Sequence, residues 1–354
     1  MFLKIRTRMA AFLTACMLLA GIVTYPQATE AAPVPVITVP PITPPIVPEI
    51  TLPAPELNPV ILFPDPTLRQ WVELKLGKSS GETIRRYDVE HYCKTDKPVG
   101  ETQLQPTVSI TDPVRSLQGI QAFRSCNYTN FSLTGQQIVD VTPLAALTTL
   151  LEINVSNNQI RSLAGLEKLV NLKLVVVRDN ELLDVEFVRQ WSRLASLDVS
   201  NNPIRSLAPL SDLTDIQQLF LSGLYLTSET ELVHLRTLIT LEELSLDQNA
   251  ITDLTLLNSL TNLKSLNLDH NQVSNLSPLE KLFNLERLVI SNNHIKDIGP
   301  LEKLRRLIDV DASHNWISSL QPAEALLLKY ARFSSNRIDV TSDINIPAIA
   351  LWES

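Results

Sequence analysis

The sequence predicts an α/β solenoid of about ten stacked 22-residue coils. Each coil gives one short strand to a parallel concave sheet and a 3₁₀ or short helical turn to the convex side, and a helical cap precedes the stack. Three observations predict this. Eight asparagines (Asn158, Asn180, Asn202, Asn249, Asn271, Asn293, Asn315 and Asn336) follow one another at spacings of 22, 22, 47, 22, 22, 22 and 21. Apolar residues recur at fixed offsets around each, as in Leu241, Leu244, Leu246, Ile251, Leu254, Leu257 and Leu260 around Asn249. Prolines recur before an inward position at Pro143, Pro209, Pro278, Pro300 and Pro322. A period of about 20–30 with self-similar content is the mark of a repeat array. A single coil cannot bury its apolar side, so stacking neighbours must do it.

Residues 1–31 read as an export signal. Lys4, Arg6 and Arg8 form a basic start, Met9 to Tyr25 is apolar, and Ala28 to Ala31 offers small residues for cleavage. An uncleaved membrane anchor and a lipoprotein signal ending at Cys16 are the alternatives. Residues 32–60 hold ten prolines. That density blocks helix and sheet ladders and favours extended polyproline II, a spacer reaching on the order of 90 Å. Residues 61–127 are expected to form a helical cap and a degenerate first repeat around Val108 to Phe123. Asp65 caps a helix opening at Pro66, whose Leu68, Trp71, Val72 and Leu76 share one face. A second short helix is expected over Thr83 to Tyr92.

The ten regular units occupy residues 128–340. Within each, the alternation Leu244-Ser-Leu246 is a strand with one face buried. The later apolar spacing of about three suits a 3₁₀ turn opened by proline. The asparagine amide can pair backbone groups that a tight turn buries, so the eight are expected to form an internal ladder rather than a ligand site. Two units depart from the pattern. Gln136 replaces asparagine in the first. The fifth carries Leu224 at that position and runs from 216 to 240, with extra residues near Ser228 to Glu231. Residues 341–354 are expected to close the far end.

The consensus Leu-x-x-Leu-x-Leu-x-x-Asn-x-Ile-x-x-Leu-x-Pro-Leu-x-x-Leu resembles the bacterial internalin-type leucine-rich repeat. The stretch Phe63 to Gly77 also resembles that family's helical N-terminal cap. The resemblance implies a horseshoe that binds a partner on its concave side. It does not identify the partner.

The residues themselves give no catalytic arrangement. Gly77-Lys-Ser79 is like the end of a phosphate-binding loop, but Val72 stands where its first glycine is needed. No cysteine cluster has zinc spacing, and no cofactor or metal is expected. The five histidines fall in exposed parts of repeats. The formal charge is −8 and becomes more negative without residues 1–31, which disfavours nucleic acid and anionic membranes as partners. Only Cys93 and Cys126 lie outside the export signal. In an oxidising compartment they are expected either to pair or to stay as two buried thiols.

Strand residues that alternate with the inward set face the concave side. Leu174, Val176 and Phe220 read there as an exposed apolar group, a candidate hot spot. Asp198 and Asp247 flank it. Glu243, Asp247, Asp269, Asp309 and Asp311 make the later half acidic, relieved by Arg287, which suits a basic partner or a merely solvated face. The functional expectation is an exported, secreted or cell-surface bacterial module. It recognises a protein or a cell-envelope polymer, and meets a membrane only through an uncleaved N-terminal segment. The alternative is a structural envelope component with no discrete ligand.

Overall fold

A computed structural model describes residues 58–106, 112–227 and 231–338. The expected export signal, nearly all of the proline-rich spacer and the 341–354 tail lie outside the described residues. Among the described residues, no helix is long and apolar enough to cross a membrane.

Eleven parallel strands form one open sheet in strict chain order. They are β1 (Gln103–Leu104), β2 (Asn130–Ser132), β3 (Glu152–Asn154), β4 (Leu174–Val176), β5 (Ser196–Asp198), β6 (Gln218–Phe220), β7 (Glu243–Ser245), β8 (Ser265–Asn267), β9 (Arg287–Val289), β10 (Asp309–Asp311) and β11 (Tyr330–Arg332). The middle residue of each three-residue strand, from Phe131 to Ala331, is buried. Equivalent residues pair across every junction, so concave positions align in continuous rows. Opposite the sheet run short 3₁₀ turns such as Thr142–Ala146, Ser277–Lys281 and Gly299–Lys303. Proline opens five of them, where its missing N–H costs nothing. Leucine, isoleucine and valine side chains from both sides fill the interior as one continuous core.

The asparagines line the turn that leaves each strand. Asn271 Nδ2 donates to the carbonyls of Leu246, Leu268 and Asp269 at 2.9, 3.1 and 3.2 Å. Its Oδ1 accepts the Ile251 N–H at 3.0 Å. One amide thus ties its own turn to the preceding coil. The residue before each ladder asparagine is left-handed, for example His270 at φ 50° and Asn292 at φ 52°. Gln136 substitutes in the first unit, its Oε1 accepting the Val114 N–H at 2.8 Å.

At Leu224 the ladder has no amide. The Ile204 N–H, which an asparagine there would have received, turns back to the Asn202 carbonyl at 2.8 Å. Asn249 Oδ1 reaches across to accept both Leu224 N–H and Leu226 N–H. Gly223, at φ 63°, takes the left-handed position, and a Cβ there would lie 2.2 Å from Asn201 Oδ1. The Asn201 amide would have to move to admit a larger residue there.

The cap consists of α1 (Pro66–Lys75) and α2 (Arg86–His91), followed by a π-helical turn over Tyr92–Asp96. Asp65 Oδ1 accepts Thr67 and Leu68 N–H, and its Oδ2 accepts Arg115 and Ser116 N–H. One buried carboxylate thus caps α1 and fastens it to the degenerate unit. That unit sits earlier than its expected start at Val108. Its strand is β1, and its 3₁₀ turn spans Ile120–Cys126. The shift arises because Leu104 supplies the inward strand residue, buried in register beside Phe131 of β2.

Cys93 and Cys126 are joined by a disulfide that ties the π-helical turn to the first 3₁₀ turn. Beside it, the half-buried Glu101 accepts hydrogen bonds from the Tyr92 and Tyr128 hydroxyls and pairs with Lys75 at 2.8 Å. Burial opposes ionisation of Glu101, but Lys75 and the two phenols outweigh it and hold the carboxyl below its ordinary 4.5. Burial, then Tyr92 and Glu101, push the Tyr128 phenol far up, so it stays a donor. A depressed folded-state carboxyl adds stability that is full above its unfolded value and lost as pH falls through the folded one. Melting curves from neutral pH down to about 3 should therefore show an acid-side loss that Glu101→Gln diminishes. An identical acid limb in both proteins would assign that loss elsewhere.

Candidate binding surface

The concave face is built of three rows. The first residues of the strands form one, running Glu152, Leu174, Ser196, Gln218, Glu243, Ser265, Arg287, Asp309 and Tyr330. The third residues form the next: Asn154, Val176, Asp198, Phe220, Ser245, Asn267, Val289, Asp311 and Arg332. The residue two further on makes the last row, with Asp247 and Asp269 in it.

The second row has a structural task. Asn154, Asp198, Asn267 and Asp311 each accept, through Oδ1, the N–H two residues ahead, at 3.2, 3.0, 3.1 and 3.1 Å. This Asx turn bends the chain out of the strand. Phe220 abandons it, and the Ser222 N–H goes instead to the Ser200 hydroxyl at 3.2 Å. Val176 and Val289 likewise have no group to accept such a bond.

Leu174, Val176 and Phe220 are half-buried rather than exposed, and they do not form one apolar patch. Asp198 stands in register between Val176 and Phe220, which puts those two about 10 Å apart at the usual strand spacing. The apolar residues come from the third and fifth units, and the fourth contributes Ser196 and Asp198 between them. Phe220 has Asp198 on one side and Ser245 on the other.

The later carboxylates are largely engaged. Asp247 Oδ1 accepts from the Ser222 and Ser245 hydroxyls and from Asn267 Nδ2. Asp269 accepts from Ser291, Asn292 and His270. Burial raises its pKa, but those three donors outweigh burial and hold it below the ordinary carboxylate value. Arg287 pairs with Asp309 at 3.0 Å, and Arg332 with Asp311 at 3.3 Å. Among the described residues, no three histidine, cysteine or carboxylate side chains could hold a metal ion together.

Three exposed aromatics escaped the sequence reading. Tyr330, 70 % exposed, opens the first row's last position, with Arg332 two residues on. Extending the repeat register past the shortened 21-residue ninth unit, which ends at Leu327, would have found both. Trp316 sits on the rim where strands exit, stacked with His294 at 4.8 Å and faced by Lys296 and Arg337. Tyr225, 86 % exposed, sits on the same rim in the irregular fifth unit.

A family model described as Leucine Rich repeats (2 copies) matches residues 239–281 and 284–325. An internalin, inlF, from Listeria monocytogenes superposes with a TM-score of 0.61 at 25% identity, over 77% of this chain and 83% of that one. The chain carries leucine-rich repeats and is similar in fold to the internalins. The functional domain of InlJ from the same organism shares the internalin-type fold at a TM-score of 0.61 and 20% identity, covering 78% of this chain and 56% of that one. Internalin C2 from that organism is 27% identical over 71% of this chain and 94% of its own, at a TM-score of 0.49. Comparison with curated proteins finds no match. Leucine-rich repeat domains typically bind proteins, and proteins of this internalin-like type are generally not enzymes.

Proposed function

We propose that this is an exported binding module that recognises a protein or a cell-envelope polymer through its concave face, with Phe220 at the centre. One observation carries the reading. Phe220 stands where four other strands place an Asn or Asp that caps its own turn, and neither the fold nor the ladder needs a ring there. Leu219 and Leu221 on either side are fully buried, so the ring has no inward role. Asp198 and Asp247 flank it, Leu174 and Val176 lie two units before it, and Asp269, Arg287 and Asp311 continue the surface. Residues 1–31 support export and residues 32–60 a stalk, with the chain secreted or held at a bacterial cell surface. A second reading is a structural envelope component without a discrete ligand. The engagement of the later carboxylates in bonds within the face favours it.

Affinity capture from envelope and surrounding extracts, run in parallel with wild type and Phe220→Ser, separates the two. The expected result is a component held by the wild type and bound about 30-fold more weakly by the variant, a loss of roughly 2 kcal/mol typical of a hot spot. The melting temperature should stay nearly unchanged. A variant with full stability and full affinity would move recognition elsewhere.

A further inference from the structure

Tyr225 carries a backbone geometry that its side chain does not favour. Its φ is 59°, the left-handed region, where a bulky residue is an outlier. In the regular units the only left-handed residue near the turn is the one before the ladder asparagine. The fifth unit has that one, Gly223, and then Tyr225 two residues later. Glycine or asparagine would adopt this conformation with less strain. The ring meets no structural need either: it is 86 % exposed, and among the described residues no hydrogen bond, ion pair or ring contact holds it. The equivalent positions of the adjoining units are Pro203 and Ala250, which are too small to cover it. Strain of this kind persists only where the surrounding structure imposes it, and it clusters at ligand-binding and switch sites.

The surroundings specify a partner's chemistry. Residues 195–200, 217–222 and 242–247, which carry β5, β6 and β7 with their flanks, hold Asp198, Glu242, Glu243 and Asp247 and no Lys or Arg, and of these four Glu242 is paired with Lys264 of the next unit at 2.7 Å. Phe220 lies in the middle of this acidic field, and Tyr225 follows it around the Ser222-Gly223 turn.

We infer that the recognition surface folds over the strand-exit rim at the fifth unit, where Phe220 and Tyr225 together hold a protein segment presenting an apolar side chain flanked by lysine or arginine. The inference rests on the concave-face reading and extends it to the rim. Aromatic anchors fill the apolar contact, and the carboxylates steer and orient the cationic flanks.

The full chain, immobilised, can be panned against a random-peptide display library and the enriched peptides titrated. Enriched peptides should pair an aromatic or aliphatic residue with Lys or Arg and bind more weakly at high salt. Tyr225→Asn should bind them at least about tenfold more weakly while its melting temperature holds or rises by about 2 °C, because Asn tolerates the left-handed region. Loss of binding in Phe220→Ser with full binding in Tyr225→Asn overturns the rim contact and spares the concave site. Full binding by both variants overturns both. A lowered melting temperature in Tyr225→Asn makes the tyrosine structural and ends the inference, and enrichment of acidic peptides rejects the stated partner chemistry.

Discussion

Asn271→Ala should lower stability by about 3 kcal/mol, a fall in melting temperature of about 5–10 °C. The side chain is buried, donates toward three carbonyls and accepts one N–H from the neighbouring coil. Alanine leaves all of these without a protein partner. Each buried orphan costs about 1–3 kcal/mol, and partial rearrangement recovers some of it. Ser265→Ala, a half-buried change on the adjacent strand, provides the control and should melt within about 1 °C of wild type. Equal melting temperatures for the two variants would mean that the asparagines do not hold the coils together.

Opening the Cys93–Cys126 bridge should cost about 3–4 kcal/mol. The sequence separation is 33, and closing a loop of that size removes this much entropy from the unfolded chain. Because the bridge lies in the cap, its loss should fray the N-terminal end first and leave the later repeats protected. Melts of the Cys93→Ser, Cys126→Ser double variant against wild type measure the cost. A thiol titration of the protein, denatured but not reduced, tests the bond directly. Two reactive thiols there would remove the bridge from the native molecule.

Period and polarity made the solenoid legible because every coil solves the same burial problem with the same residues. Leu241, Leu263 and Leu285 are inward for one reason, and each predicts the others. Asp65 was readable as a helix cap from its place before Pro66. Its second role, holding Arg115 and Ser116, joins segments 50 residues apart and has no local trace. The concave face was readable as an alternation, but not as a surface. Which side chains neighbour one another depends on cross-strand register, and register placed Asp198 between Val176 and Phe220. Counting charges also overstated the freedom of the later carboxylates. A chain of letters does not show that Ser222, Ser245 and Asn267 all point at Asp247. Tyr225 was hidden for a different reason: it lies in the unit where the pattern lapses furthest, and its left-handed backbone is invisible to composition.

The missing amide at Leu224 has a consequence for how the whole stack behaves. In a linear array, cooperativity is carried by the couplings between nearest neighbours, and it is only as strong as its weakest junction. Elsewhere a ladder amide bolts each coil to the one before. Between the fourth and fifth coils that bolt is absent, and Ile204 turns back on its own coil instead. Glu231 of the fifth coil accepts the Leu207 N–H of the fourth at 2.7 Å and keeps some hold across the joint, yet without its amide the joint resembles a splice between two rods. Thermal fluctuation, or a pull along the axis, concentrates its opening at the splice, and Phe220 and Tyr225 sit on the first coil beyond it. A partner gripping that coil alone leaves the splice free to flex, whereas one that also reaches Val176 or Asp198 acts as a clamp across it and makes the two rods one.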